Sequence, residues 1–354
     1  MLQDVPGATT MDRGFLLLAA AALVLLLASF AFAALAIVLR IRNDRRARRQ
    51  VRLQRRWEPA MLEILSGAAP PHAIFERVDD ADALDFLEFL LEYARLLRGE
   101  ERGLIQAIAD PYLPRVIPAL REGTAESRGH AVLILARMGM PKYAHAVASA
   151  LKDPSPIVAM IAARSLFRPG HERHFPAVLE HLPRFTGWSR GFLASMLAGG
   201  GPRSAPLLRA ILASDMEPPL VRAVASDALR ELNDLPSVPT AVGLLEGMAD
   251  RDRELVVGCL RILEQLGHQE HLPVVRPFVD SPDAVVRASG VSALAALGGE
   301  DEIPALQSKL DDTTFWVSLE AARGLMSLGE MATLERIAGS RGPWSLLAQQ
   351  VLSE

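Results

Sequence analysis

Residues 280–298 read DSPDAVVRASGVSALAALG. Ser281-Pro282-Asp283 is a helix-start signal and Gly298 a helix-end signal, so the stretch predicts one helix. Within it Val286, Gly290 and Leu294 recur every four residues, which keeps them on one face. The same pattern returns throughout the second half of the chain. Landmark residues fall at Gly139, Gly170, Gly200, Asn233, Gly267, Gly298 and Gly329, at intervals of 31, 30, 33, 34, 31 and 31. Four positions before each stands a large apolar residue: Leu135, Leu166, Met196, Leu229, Leu263, Leu294 and Leu325. Eight before stand Ala131, Ala162, Phe192, Ala225, Cys259, Gly290 and Ala321, six of the seven small. Twelve before stand Ser127, Val158, Trp188, Val221, Leu255, Val286 and Val317. A buried stripe alternating small and large side chains lets a neighbouring helix approach closely.

Six positions after the landmark, five units carry Pro176, Pro206, Pro239, Pro273 and Pro304, each followed by an apolar run. Proline suits the first turn of a helix, where its missing N–H would have no partner. The unit is therefore a helical hairpin of about 31 residues repeated seven times, and a repeat of that period predicts a solenoid. No strand alternation accompanies it.

The pattern in 280–298, in DMEPPLVRAVASDALREL (215–232) and, more weakly, in DDTTFWVSLEAARGLMSLG (311–329) resembles the short, PBS-lyase-type HEAT-like repeats, over roughly residues 104–352. The resemblance implies an all-α, right-handed α-solenoid whose second helices line the concave side. It further implies a ladder of Asp–Arg bonds along the inter-helix loops. That pattern survives as Asp215 with Arg222 and Asp280 with Arg287, with Arg128 alone elsewhere.

Ahead of the repeats, residues 15–39 (FLLLAAAALVLLLASFAFAALAIVL) contain one polar side chain, Ser29. At 1.5 Å per residue they reach roughly 37 Å as a helix, enough to cross a hydrocarbon core of about 30 Å. Nine arginines follow at once: Arg40, Arg42, Arg45, Arg46, Arg48, Arg49, Arg52, Arg55 and Arg56. A cleaved signal peptide has a shorter apolar core and its charge on the other side. The expectation is a single transmembrane helix with the N-terminus outside and the remainder cytoplasmic, by the excess of positive charge after the span, at the bacterial inner membrane. The arginines are expected to contact anionic lipid headgroups, worth about 1 kcal/mol each near a surface. The expected organisation is a tail at 1–14, the span at 15–39, an arginine-rich juxtamembrane segment at 40–56, a helical cap at 57–103 and the solenoid at 104–354. In the cap the second helix is acidic, at Asp79, Asp80, Asp82, Asp85, Glu88 and Glu92, which suits the polar outer face of a terminal unit.

Setting aside the tail, span and arginine segment leaves 28 basic and 39 acidic residues in 57–354, a net of −11. So acidic a domain is a poor binder of phosphate backbones, which argues against a nucleic-acid partner. One cysteine excludes a disulfide framework and a cysteine zinc site. Cys259 falls on the small, buried position of its helix, where a thiol is inert.

His171-Glu172-Arg173-His174 and His268-Gln269-Glu270-His271 occupy equivalent places just past two landmarks. They resemble the His-Glu pairs of deoxyhypusine hydroxylase-like HEAT enzymes, which implies a metal centre as an alternative. Yet only one His-Glu dipeptide is present, His181 lies inside the next helix, and three units separate the pairs. Gly199-Gly200-Gly201-Pro202 lacks the lysine of a phosphate loop, and no nucleophile elbow is visible. Neither a metal, a cofactor nor enzymatic activity is expected.

The face opposite the buried stripe carries Arg164, Arg168, Arg190, Arg261 and Arg323 with Met160, Phe167, Leu197, Trp316, Leu319 and Met326. Arginine, aromatic and methionine side chains on one surface are the composition of protein-interface hot spots. The expected protein-binding residues are Arg164, Phe167, Arg168, Arg190, Arg261, Trp316 and Arg323. The expected function is a membrane-tethered scaffold or adaptor, an accessory subunit beside a membrane complex, with a sensor of the lipid surface as a further alternative.

Overall fold

The computed structural model describes the backbone of residues 8–97, 99–247, 252–340, 342 and 344–354; the side chains of 8–22, 39 and 42–47 lie outside the described residues. The chain forms two compact units, 1–115 and 116–354, and no strand occurs among the described residues.

In the first unit one continuous helix, α1 (Ala8–Leu65), runs through both the apolar stretch and the arginine segment. The boundaries expected at 39 and 56 are therefore changes of side chain and leave the backbone uninterrupted. Among the described residues no helix is long and apolar enough to cross a membrane. Part of the expected span, 15–22 and residue 39, lies outside the described side chains. Gly67, at φ +76°, turns the chain after α1, a conformation that costs glycine little. A short 3-10 helix (Pro71–Arg77) leads to α2 (Ala83–Leu96) and α3 (Glu100–Ala109). The expected acidic helix is thus shorter at its start, because Asp79, Asp80 and Asp82 belong to the turn before α2. Trp57, Ile74, Phe86, Leu87, Leu90 and Ile105 form the core here, each almost fully buried. The Trp57 indole N–H donates to the Arg77 carbonyl at 3.1 Å, so the buried ring keeps its polar atom bonded.

The second unit is a stack of hairpins. Its outer helices are α4 (Ile117–Glu122), α6 (Ala144–Ser149), α8 (Phe175–Glu180), α10 (Ala205–Ala213), α12 (Val238–Gly247), α14 (Leu272–Val275), α16 (Ile303–Ser308) and α18 (Met331–Ala338). They alternate with inner helices α5 (Ala125–Met138), α7 (Pro156–Leu166), α9 (Arg190–Ala198), α11 (Pro219–Glu231), α13 (Arg253–Leu266), α15 (Ala284–Leu297) and α17 (Phe315–Ser327), and α19 (Ser345–Leu352) closes the series. The prolines at 176, 206, 239, 273 and 304 all stand in the first turn of an outer helix, as expected. Asp283 caps α15 by accepting from the Val285 and Val286 amides at 2.8 and 3.2 Å, an arrangement typically worth about 1 kcal/mol.

The buried stripe is where the sequence places it. Leu135, Leu166, Leu229, Leu263, Leu294 and Leu325 are at most 1% exposed. The landmarks do two different jobs. Asn233 takes φ +52°, the left-handed conformation that ends a helix. Gly267 instead has φ −77°, and a Cβ there would lie 2.5 Å from the Leu263 carbonyl oxygen, so the close pass of the backbone excludes a side chain. The unit ending at Gly200 departs from the rule. Trp188 and Phe192, at positions small or β-branched in most units, stay partly exposed and stack on each other with ring centroids 5.3 Å apart.

Candidate interaction surface

The inner helices pack side by side, and this decides which of their faces is open. Successive pairs α9–α11, α11–α13, α13–α15 and α15–α17 are direct neighbours. Positions ten and three before each landmark lie on the flanks of those contacts. Met160, Phe167, Leu197 and Leu319 are therefore buried, at 3% exposure or less. That corrects the expectation of a binding face containing them, Phe167 included. Phe167 is a core residue: its ring stacks on Phe175 with centroids 4.2 Å apart. The open strip instead follows thirteen, six and two positions before the landmark. It displays Ile157, Val285 and Trp316, with Trp316 64% exposed.

Of the expected arginines, Arg164 and Arg261 are exposed and carry no ion pair among the described residues. Arg168 Nε donates to the Arg164 carbonyl at 3.3 Å. Arg323 is held in the C-terminal turn, bidentate to Glu354 at 2.9 and 2.8 Å. Arg190 is no free anchor either. Its guanidinium is bidentate to Asp227 (Nη2–Oδ1 2.9 Å) and reaches Glu254 Oε2 at 2.9 Å, with side-chain exposures of 16% for Arg190 and 9% for Asp227. Burial works against the Arg190 charge, but its bonds to Asp227 and Glu254 outweigh that and raise its pKa. Around this knot Arg230, Glu231, Val257, Arg261 and Val285 line a shallow groove of about 310 Å³. Farther along the strip, burial raises the pKa of Glu264, which the 2.9 Å bond from Ser292 opposes and the charge of Glu320 reinforces. The strip is thus a polar line crossing four inner helices, from Arg190 on α9 to Ser292 on α15.

The loop ladder exists, with partners other than those expected. Arg287 is bidentate to Asp312 of the following unit, at 2.7 and 2.9 Å. It also donates to the Ser281 carbonyl at 2.7 Å. Asp280, its expected partner, takes Lys309 instead. Arg128 is not alone: it meets Asp153 at 2.7 and 2.8 Å. Both pairs are 25 residues apart, the distance from one inner helix to the next unit's loop. Arg222 alone keeps the expected bond, to Asp215 at 3.1 Å, and also donates to the Leu212 carbonyl. A second ladder joins the outer helices through Arg209–Asp234, Arg276–Glu302 and Gln307–Thr333.

The chemistry-bearing residues are dispersed. Among the described residues no group of three or more His, Cys, Asp or Glu is arranged to hold a metal ion. His271 Nδ1 accepts from its own turn's His268 amide at 3.0 Å. The His174 Nε2 accepts from Arg173 Nε, and burial with the neighbouring Arg173, His171 and His145 charges lowers the His174 pKa. His181 stands just past the end of α8 and not inside it as expected, with its Nδ1 2.8 Å from the Ala177 carbonyl of that helix. Glu172 bonds Arg203. Burial pushes the Cys259 thiol up to about 12, against the opposing charges of Arg222 and Arg190.

In the first unit the arginine segment has a partner that the sequence did not announce. Arg49 pairs with Asp82 and Asp85 at 2.6 and 2.9 Å, and Arg56 with Asp79 at 2.8 Å. Arg115 takes Asp80 at 2.6 Å. With Glu92 taking Arg95 at 3.1 Å, five of the six cap acids are matched to arginines, three of them to the arginine segment. Arg40, Arg48, Arg52 and Arg55 are exposed, and the side chains of Arg42, Arg45 and Arg46 lie outside the described residues.

This architecture is an all-helical, HEAT-like solenoid. Residues 241–327 match the family model for HEAT repeats. None of the curated proteins matches the chain. Among solved structures the chain is similar to the complex of CpcE and CpcF of phycocyanin lyase from Nostoc sp. PCC7120, at 20% identity over 68% of this chain and 86% of that one, TM-score 0.34. It is also similar to the karyopherin Kap121p bound to RanGTP, at 15% identity over 83% of this chain and 42% of that one, TM-score 0.40. Likenesses at this level concern the fold alone.

Proposed function

We propose that the protein is a non-catalytic scaffold that is tethered to a membrane by the apolar part of α1 and presents the inner-helix strip of its solenoid to a protein partner. One observation carries the adaptor reading. The open strip carries Arg164 and Arg261, exposed and without an ion pair among the described residues, and an exposed Trp316, on the same series of inner helices as an internally bonded polar line. Arginine and aromatic side chains on a preorganised surface are what protein interfaces concentrate their energy on. The tether is supported by the described stretch from Leu23 to Val38, whose large apolar residues are 51–73% exposed. An apolar surface of that extent needs a non-aqueous neighbour. The arginines after it favour a cytoplasmic solenoid at a bacterial inner membrane, and a membrane complex is the partner that such a placement serves.

The test is recovery of partners from membranes in mild detergent, with mass spectrometry, for the wild-type chain against Arg261→Glu and Trp316→Ala. Both variants should retain the helical signal and lose a partner that the wild type holds. Retention of every partner by both would put the interface elsewhere.

A further inference from the structure

The continuous helix α1 gives each of its arginines a height. A helix rises 1.5 Å per residue, so Arg40 stands about 2 Å past the end of the apolar run at residue 39, Arg49 about 15 Å and Arg56 about 25 Å. Headgroups occupy about 6 Å on each side of the hydrocarbon, and charge is screened over about 8 Å at physiological salt. Even at a tilt of 40°, Arg52 to Arg56 would stand roughly 15–20 Å below the apolar run, out of reach of a phosphate. The structure shows what two of the distal arginines bind instead. Arg49 and Arg56, two helical turns apart on one face, hold the carboxylates of Asp82, Asp85 and Asp79. Hydrogen bonding to Asp82 and the Asp85 charge raise the Arg49 pKa. The cap is fastened along the lower part of α1, with its Asp82–Asp85 edge toward the apolar run.

We propose that the arginine segment is divided by height: its first turn meets anionic phosphate headgroups, and its lower part is a rigid spacer clasped to the acidic edge of the cap. The inference rests on the membrane tether and corrects the assignment of all nine arginines to lipid. It also lowers the charge that this acidic edge carries toward an anionic surface, since Arg49 and Arg56 offset two of the three carboxylates they hold.

Spin labels at Ile41→Cys and at Gln54→Cys, each in the full chain reconstituted into phosphatidylcholine vesicles with 30% phosphatidylserine, test the spacer. The vesicles also carry a nickel-chelating headgroup lipid, whose nickel broadens only nearby labels. The native Cys259 is 1% exposed and stays unlabelled. Strong broadening at position 41 and none at 54 is expected. Equal broadening at both would lay the segment along the surface and overturn the spacer while leaving the tether standing. No broadening at either would overturn the tether and the spacer together. The clasp has its own readout. Arg49→Asp with Arg56→Asp should speed proteolysis of the 66–82 loop at least tenfold, and adding Asp79→Arg and Asp82→Arg should restore protection. Unchanged proteolysis in the first variant, with helicity retained, would overturn the clasp.

Discussion

The sharpest consequence of the loop ladder concerns Arg287. Its guanidinium makes two bonds to Asp312 and one to the Ser281 carbonyl, and both charged side chains are nearly buried, at 13% and 11% exposure. Asp312 also accepts the Thr314 amide at 2.8 Å, so it is held in place whether or not the arginine is present. Truncating Arg287 to Ala therefore leaves a carboxylate without its counter-charge between two units. Breaking a fully buried pair costs about 3–5 kcal/mol and an exposed pair at most about 1; this rim position falls between, at about 2 kcal/mol. For a domain of this size 1 kcal/mol moves the melting temperature by about 2–4 °C, so Arg287→Ala should melt roughly 4–8 °C early. The decisive assay is a double-mutant cycle by thermal and urea unfolding. Arg287→Ala and Asp312→Asn should couple by about 1–1.5 kcal/mol, because removing the second partner relieves the stranded charge. Asp280→Asn should cost less than about 0.5 and show no coupling, since Asp280 is 77% exposed and bonded elsewhere. A cycle additive within 0.5 kcal/mol, or coupling to Asp280 in place of Asp312, would refute the ladder as described.

Arg190→Ala and Arg261→Glu should separate structure from surface. The first strands Asp227, 6% exposed, and should cost about 3 kcal/mol; the second changes an exposed side chain and should stay within about 0.5, as paired melting curves would show. Two opposite pH effects are also expected. The Arg128 and Arg287 bonds hold the Asp153 and Asp312 carboxyls below their ordinary 3.8. Their stabilisation is fully present above pH 3.8 and disappears as pH falls through the lowered values. Burial holds Glu264 above its ordinary 4.5, so the folded state binds the extra proton and gains stability as pH falls toward 4.5. Glu264→Gln should raise the melting temperature at pH 7–8 and lose that advantage near pH 4.5; an unchanged difference across the range would contradict this account.

The period, the small-and-large stripe and the first-turn prolines were legible because each follows from local rules that act within a single helix. What depends on the neighbouring helix was not. Helical spacing separates buried from opposite, yet Phe167 and Leu197 are buried on a flank, and only the side-by-side packing of inner helices makes that flank an interior. The ladder partners were sought within one unit, where Asp280 precedes Arg287 by seven residues; the bonds run 25 residues forward, and the recurrence of Arg128 with Asp153 at that distance was a signal available in the sequence. Arg49 and Arg56 were assigned to lipid and Asp79–Asp85 to solvation, each by composition. Their complementary signs and two-turn spacing become meaningful only once α1 and the turn before α2 lie together. The candidate strip was half legible: Arg164, Arg261 and Trp316 stand on it, whereas Arg190 is absorbed into the scaffold by acids from two other helices.

Three separate lines of cross-links run along residues 116–354: the loop ladder, the outer-helix ladder and the polar line of the inner strip. A stack stayed on several sides resists bending as a guyed mast does, since curving it in any direction stretches at least one set of stays. Most stays tie adjacent units, while Arg190 reaches two units on to Glu254, so stiffness is set largely joint by joint along the stack. Much of that stiffness is ionic and partly exposed to solvent, which makes the flexural rigidity of the solenoid a quantity that salt tunes.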